Sequence, residues 1–217
     1  MSNINQHSID ESLSKMQLTF ANAQNPEILP ILQSVGYTKS RLQDYLKKVE
    51  EINKLGQKQK LEYGEQYAKT EEFNQKRAEI DKIYKKDLAL ARIIFKDDVQ
   101  AIATLELNGH RKKAYSSWHK QVHNFYAQLL ANRNFFNKMQ KVGINSTKIN
   151  RTNNELKAIE TLKDEQKKEM GEAQKATEER DNAFDELYPQ YRELIEFAKV
   201  LLADEQMLES MGIVVER

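Results

Sequence analysis

The sequence predicts an all-α protein, a tandem repeat of two three-helix units whose six long antiparallel helices form an elongated bundle. Three observations carry that prediction. Charged residues make up 31% of the 217 residues, while Gly and Pro number only seven and three. Long straight-chain side chains lose little rotamer freedom in a helix, and few helix breakers are present. Apolar residues recur at steps of three and four, as in Leu42, Leu46, Val49, Ile52 and Leu55, and no stretch alternates with period two. The third observation is an internal repeat. Laying Val35-Gly36 on Val142-Gly143, 107 positions on, aligns roughly 64 residues without a gap, about a quarter of them identical. The densest match sets GEQYAKTEE (Gly64 to Glu72) against GEAQKATEE (Gly171 to Glu179), and Ile52, Gln59, Tyr84, Ala91 and Asp97 recur as Ile159, Gln166, Tyr191, Ala198 and Asp204.

The repeat divides the chain into residues 1–109 and 110–217. Within the first copy, Asn25-Pro26-Glu27 places a cap before a proline at the first helical position, and a short helix runs to Gly36. Four helix ends are read from a glycine beside apolar residues: Val35-Gly36-Tyr37, Val142-Gly143-Ile144, Met211-Gly212-Ile213 and, more loosely, Leu107-Asn108-Gly109. Gly in the left-handed conformation closes such ends, and the apolar residue after it packs back on the last turn. Thr38 to Lys96, and its twin Asn145 to Ala203, could each be one helix or a hairpin. The hairpin is favoured, with tips near Gly64 to Thr70 and Gly171 to Thr177, because the region is polar, Gly recurs there and Thr-Glu-Glu starts helices well. It also divides the chain into helices of similar length, as an antiparallel bundle needs. Asp97 and Asp204 are expected to cap the short final helices, and Pro189 to kink the pattern it interrupts.

Several function classes are disfavoured. Lys and Arg number 34 against 33 Asp and Glu, and no basic stripe of the kind phosphate binding requires stands out, so nucleic acid is not an expected partner. Arg111-Lys112-Lys113 reads as a solvated helix start. With no cysteine, thiol chemistry and Cys-ligated zinc are excluded. The apolar stretches around Leu88 to Phe95 and Leu194 to Ala203 are too short to span a bilayer, and the apolar hairpin of membrane-inserting helical toxins is missing, so no membrane insertion is expected. MSNINQHSIDES has no apolar leader, which favours a cytoplasmic location.

Few residues suggest chemistry. His119 and His123 share a helix face, yet no Glu lies inside the pair, and His7 and His110 have no evident relation to it. The Glu-x-x-His of di-iron bundles is absent. Asp97-Asp98 and Asp204-Glu205 recur and could form a hard-cation site, but helix capping explains them more simply. Tyr37, Tyr45, Tyr63, Tyr67 and Tyr84 fall on helical spacing and only Tyr84 recurs, which suits packing better than a cofactor box. No catalytic, cofactor-binding or metal-ligating residue is therefore assigned, and no cofactor is expected. The expected protein is a non-enzymatic interaction or structural module with a protein partner or self-association, the alternative being a metal-responsive regulator. Trp118, His119 and His123, which the ungapped alignment sets against Glu11, Ser12 and Met16, mark the asymmetries in which a specific function would lie.

FAKVLLADEQMLESMGI (Phe197 to Ile213) resembles the C-terminal pattern of a bacterial tandem helical-repeat family of unassigned activity, Ala-Arg/Lys-x-Ala-Leu-x-Asp-x-Pro-Gln-Leu-Leu-Glu-x-Leu-Gly-Ile. Ala198-Lys199, Leu202, Asp204, Leu208, Glu209, Gly212 and Ile213 match it; its Pro is missing. LARIIFKDD, ending at Asp98, is similar to the end of the family's first half. The resemblance implies a helical fold and a bacterial origin. Phosphate-signalling regulators of the PhoU type are an architectural parallel, being tandem three-helix repeats, although their acidic metal motifs are not evident in this chain.

Overall fold

A computed structural model describes residues 6–202 and 204–213, with side chains from Ile9 onward; Ala203 and the side chain of His7 thus lie outside the described residues. Eight helices are seen there and no strand: α1 (Gln6–Asn22), α2 (Leu29–Gln33), α3 (Lys39–Ile94), α4 (Val99–Thr104), α5 (Tyr115–Ala131), α6 (Arg133–Gln140), α7 (Ser146–Leu201) and α8 (Glu205–Ser210). The bounds of α3 and α7 stand in the same 107-residue relation as Val35 and Val142.

The expected hairpins, and with them the six helices of similar length, are not what forms. Each long helix runs for 56 residues through its supposed tip. Gly64 and Gly171 are not among the positive-φ glycines, and a Cβ added to either would meet nothing within 4 Å. They are ordinary helix positions that cost propensity without forcing a turn. The polar character read as a tip has another origin. One heptad beyond Ile52, on the stripe of Leu42, Tyr45 and Val49, stands Gln59, and one heptad beyond Ile159, on that of Ile149, Thr152 and Leu156, stands Gln166; both glutamines are buried. Gln59 Nε2 donates to Thr177 Oγ1 at 3.0 Å, and Gln166 Nε2 to Thr70 Oγ1 at 3.2 Å. Arg180 Nη1 donates to Gln59 Oε1 at 2.6 Å, while Lys163 Nζ does so to Gln166 Oε1 at 2.7 Å. The polar residues form a hydrogen-bonded core layer, satisfied as burial requires, and not a solvated bend.

The chain forms two compact units, residues 1–64 with 170–217 and residues 65–169. They do not follow the expected 1–109 and 110–217 division, because each 56-residue helix contributes its first part to one unit and its remainder to the other. The first unit packs Leu13, Met16 and Phe20 of α1 against Val49 and Ile52 of α3 and Phe184, Leu187, Leu194 and Ala198 of α7. The second packs Val122, Phe125 and Leu129 of α5 against Ile80, Tyr84, Leu88 and Ala91 of α3 and Ile149, Leu156 and Ile159 of α7. Exchanged charges are compensated locally. Lys58 pairs with Glu179 at 2.8 Å in the first unit. At the aligned positions of the second, Glu165 and Glu72 would repel, and Lys69 bridges them at 2.9 and 3.0 Å.

Three of the four glycine stops close helices as expected. Gly36, Gly143 and Gly212 have φ of 89°, 85° and 78°. The following amides reach back, Tyr37 to Leu32, Ile144 to Met139 and Ile213 to Leu208, each at 3.1 Å. The end of α4 differs. Glu106, at φ 50°, takes the left-handed position, and Leu107 N–H donates to Ile102 O at 3.0 Å, leaving Gly109 further along the connection. The cap slips likewise: Asp98, not Asp97, accepts from Ala101 N–H at 3.0 Å, whereas Asp204 caps α8 through Gln206 N–H at 2.9 Å. α7 continues through Pro189. Gly212→Ala is expected to cost about 2 kcal/mol, since φ 78° disfavours a side chain and its Cβ would lie 2.7 Å from Leu18 Cδ2. Urea unfolding checks this, and an unchanged midpoint would contradict it.

The alignment also shifts over α1 and α5. Buried Ile9, Leu13, Met16 and Phe20 have the spacing of Trp118, Val122, Phe125 and Leu129. Trp118 therefore answers to Ile9, not to Glu11, because burial rather than ungapped counting sets the register.

Candidate functional site

The two units differ most on one face. In the first, Phe184 and Tyr188 of α7 stack with ring centroids 5.3 Å apart and 22° between planes. The aligned residues of the second unit are Arg77 and Asp81 of α3, one helical turn apart. The Arg77 guanidinium lies 5.2 Å from the centroid of the Trp118 ring. Trp118 Nε1 donates to Asp81 Oδ1 at 3.0 Å, and Arg111 pairs with the same carboxylate oxygen. Charges set around one ring thus occupy the place of an aromatic stack.

This arrangement pins the connection between α4 and α5. Arg77 donates to the Lys113 carbonyl, and Lys112 N–H donates to Oε1 of buried Gln121 at 3.0 Å. Arg92 donates to the carbonyls of Leu107 at 2.7 Å and Gly109 at 2.9 Å. Arg111-Lys112-Lys113 is therefore not a helix start, although Lys112 and Lys113 are exposed. It is an ordered non-helical segment ahead of α5, held by side chains that satisfy its backbone.

Three concavities meet along this segment, and His110 lines all of them. The first, of about 590 Å³, is walled by Arg77, Asp81, Arg111, Lys112, Lys113 and Trp118. The second, of about 610 Å³, includes Arg92, Lys96 and Leu107. The third, of about 440 Å³, includes Val99, Ile102, Ala103 and Glu106. Six side chains of Lys and Arg face two carboxylates in this groove, although the whole chain is nearly neutral at +1. The charge is local, and concave walls concentrate its field.

Beneath the same unit lies a second asymmetry. Asp87, fully buried, stands where the first unit has buried Leu194. Tyr126 Oη donates to Asp87 Oδ2 at 2.8 Å, and Lys148 Nζ pairs with the other oxygen. The neighbouring Tyr84 hydroxyl is buried with no hydrogen-bond partner among the described residues, and burial pushes its pKa up to about 12. Burial first, then the Asp87 charge, pushes Tyr126 higher still. Burial also raises Tyr37, Tyr115 and Tyr191. An unfolded chain ionises its phenols near pH 10, whereas the folded chain keeps them protonated. Their stabilisation is thus complete below about pH 10 and lost as pH rises from there through 12 for Tyr84. Melting curves across that range should show a steep alkaline loss, shallower in Tyr126→Phe; a flat profile would contradict the burial argument.

The histidine pair forms no convergent site. His119 Nε2 lies 3.3 Å from Glu160 Oε1 and 3.4 Å from the Leu156 carbonyl, with its ring beside Tyr115, while His123 is exposed. No group of three potential ligands among the described residues includes either histidine. The acidic pairs serve as caps, and Asp98 also meets Lys138 at 3.5 Å. Of the tyrosines, Tyr37, Tyr45 and Tyr84 are core residues, whereas Tyr67 is largely exposed. Arg77 and Asp81 carry no sequence motif, and Arg111 stands out only as part of the Arg111-Lys112-Lys113 run. The available signal was the replacement of Phe184 and Tyr188 by opposite charges on the same stripe.

No family model, curated protein or solved structure matches the chain. Among the described residues no helix is long and apolar enough to cross a membrane.

Proposed function

We propose that this chain is a non-enzymatic helical interaction protein, a duplicated frame that holds a partner protein through the groove of its second unit. The observation that supports this is the replacement of the Phe184–Tyr188 stack by Arg77 and Asp81 around Trp118. At these aligned positions the second unit carries an opposite-charge pair where the first carries two aromatic rings. The carboxylate of Asp81 is engaged by Arg111 and Trp118, so the groups lining that cavity are arranged to bind and orient rather than to transfer protons. A bacterial origin is what the resemblance of Phe197 to Ile213 favours. The test is affinity capture from cell extract with the unchanged chain and with Lys112→Glu/Lys113→Glu, followed by light scattering of the eluted complex. A defined complex that forms with the unchanged chain and not with the variant is expected. A monomer that retains the same proteins with and without the charge reversal would overturn the proposal.

A further inference from the structure

The chemistry of the groove changes along its length. At one end Arg77, Arg111, Lys112 and Lys113 surround a single carboxylate, Asp81. At the other, Val99, Ile102 and Ala103 form an apolar wall, and Val99 is 81% exposed. His110 belongs to all three concavities, so one extended ligand can follow the connection from the cationic end to the apolar one. We infer that the groove binds an extended acidic segment of a partner protein, with carboxylates at the Arg77–Lys113 end and an apolar side chain on Val99 and Ile102. This inference rests on the interaction reading above and names the partner's chemistry.

Carboxylates suit the cationic end because guanidinium and ammonium groups form short charge-assisted bonds to them and steer their approach. Glu106 stands at the other end, so a second acidic group there would be repelled and an apolar one accepted. Single-stranded nucleic acid is the competing polyanion. It gains much of its affinity by stacking bases on open aromatic faces. The aromatic ring lining the groove is Trp118, which is 1% exposed and has Arg77 over its ring. A run of phosphates would also meet the apolar side chains of Val99 and Ile102 and the carboxylate of Glu106. Charge and polarity together favour the peptide.

Trp118 is the chain's single tryptophan, so its fluorescence reports on the cationic end directly. The full chain is titrated with a short synthetic peptide of Asp and Glu ending in two leucines, with the same peptide ending in two serines, and with a thymidine oligonucleotide of matched charge. Saturable binding of the leucine peptide is expected, stronger than that of the serine peptide. Lys112→Glu/Lys113→Glu should weaken it about tenfold, as should a rise to about 0.5 M salt. Both lysines are exposed, and an unchanged melting curve verifies that the variant folds. Val99→Ser should remove the preference for leucine and leave the serine peptide's affinity nearly unchanged. Tighter binding of the oligonucleotide than of either peptide would overturn the inference. So would the absence of saturable peptide binding by a chain that still captures a partner from extract, an outcome that leaves the interaction reading standing. Failure of both experiments would overturn both.

Discussion

Asp87→Ala is expected to lower the unfolding free energy by about 3 to 5 kcal/mol, the range seen when one partner of a buried ion pair is removed. The carboxylate is inaccessible to solvent, and it accepts from Tyr126 and pairs with Lys148. Its removal leaves a buried hydroxyl without an acceptor and a cation without a counter-charge. Lys148 keeps 32% of its side-chain surface exposed and can turn to water, which places the effect toward the lower end of the range. The first unit shows the apolar solution to the same position, Leu194. Asp87→Leu combined with Tyr126→Phe should therefore recover much of the loss. Urea unfolding followed by circular dichroism measures both. A cost of Asp87→Ala below about 1 kcal/mol would mean that the pair contributes little to this core.

Proline at Gly64 or Gly171 is the second large effect, expected to cost about 3 kcal/mol or more at either position. Both lie within 56-residue helices, where proline removes a backbone donor and its ring collides with the preceding turn. A hairpin tip would accept proline at small cost, so the two architectures predict effects of different size. A melting temperature unchanged by either substitution would contradict continuous helices.

Much of the helical content was legible in the sequence because glycine stops and three-four spacing are local signals. Gly36, Gly143 and Gly212 could each be read from a few neighbours, and the structure shows them with positive φ. What was misread depends on tertiary contacts. Thr70 and Thr177 look like tip residues in one dimension; that they accept hydrogen bonds from Gln166 and Gln59 becomes visible only when α3 and α7 lie side by side. The one-residue slip that makes Asp98 rather than Asp97 a cap, and the two-residue shift that sets Trp118 on Ile9, escape an ungapped alignment for the same reason. The groove was hidden by composition. A nearly balanced chain can still gather Arg77, Arg111, Lys112 and Lys113 at one cavity, because Arg77 is distant from the others in sequence and is brought near by the packing of α3 against α5.

α3 and α7 are each one unbroken helix of 56 residues, where the polar pattern predicts hairpins. Gly64→Ala/Gly171→Ala tests this continuity most directly, because the sign of the effect differs between architectures. In helix interiors with open space around the added methyl groups, alanine is favoured by about 1 kcal/mol per site. The double variant is therefore expected to be more stable by about 2 kcal/mol in urea unfolding. At hairpin tips with glycine in the left-handed region the same change would strain both turns, and a double variant less stable than the unchanged chain would contradict the account.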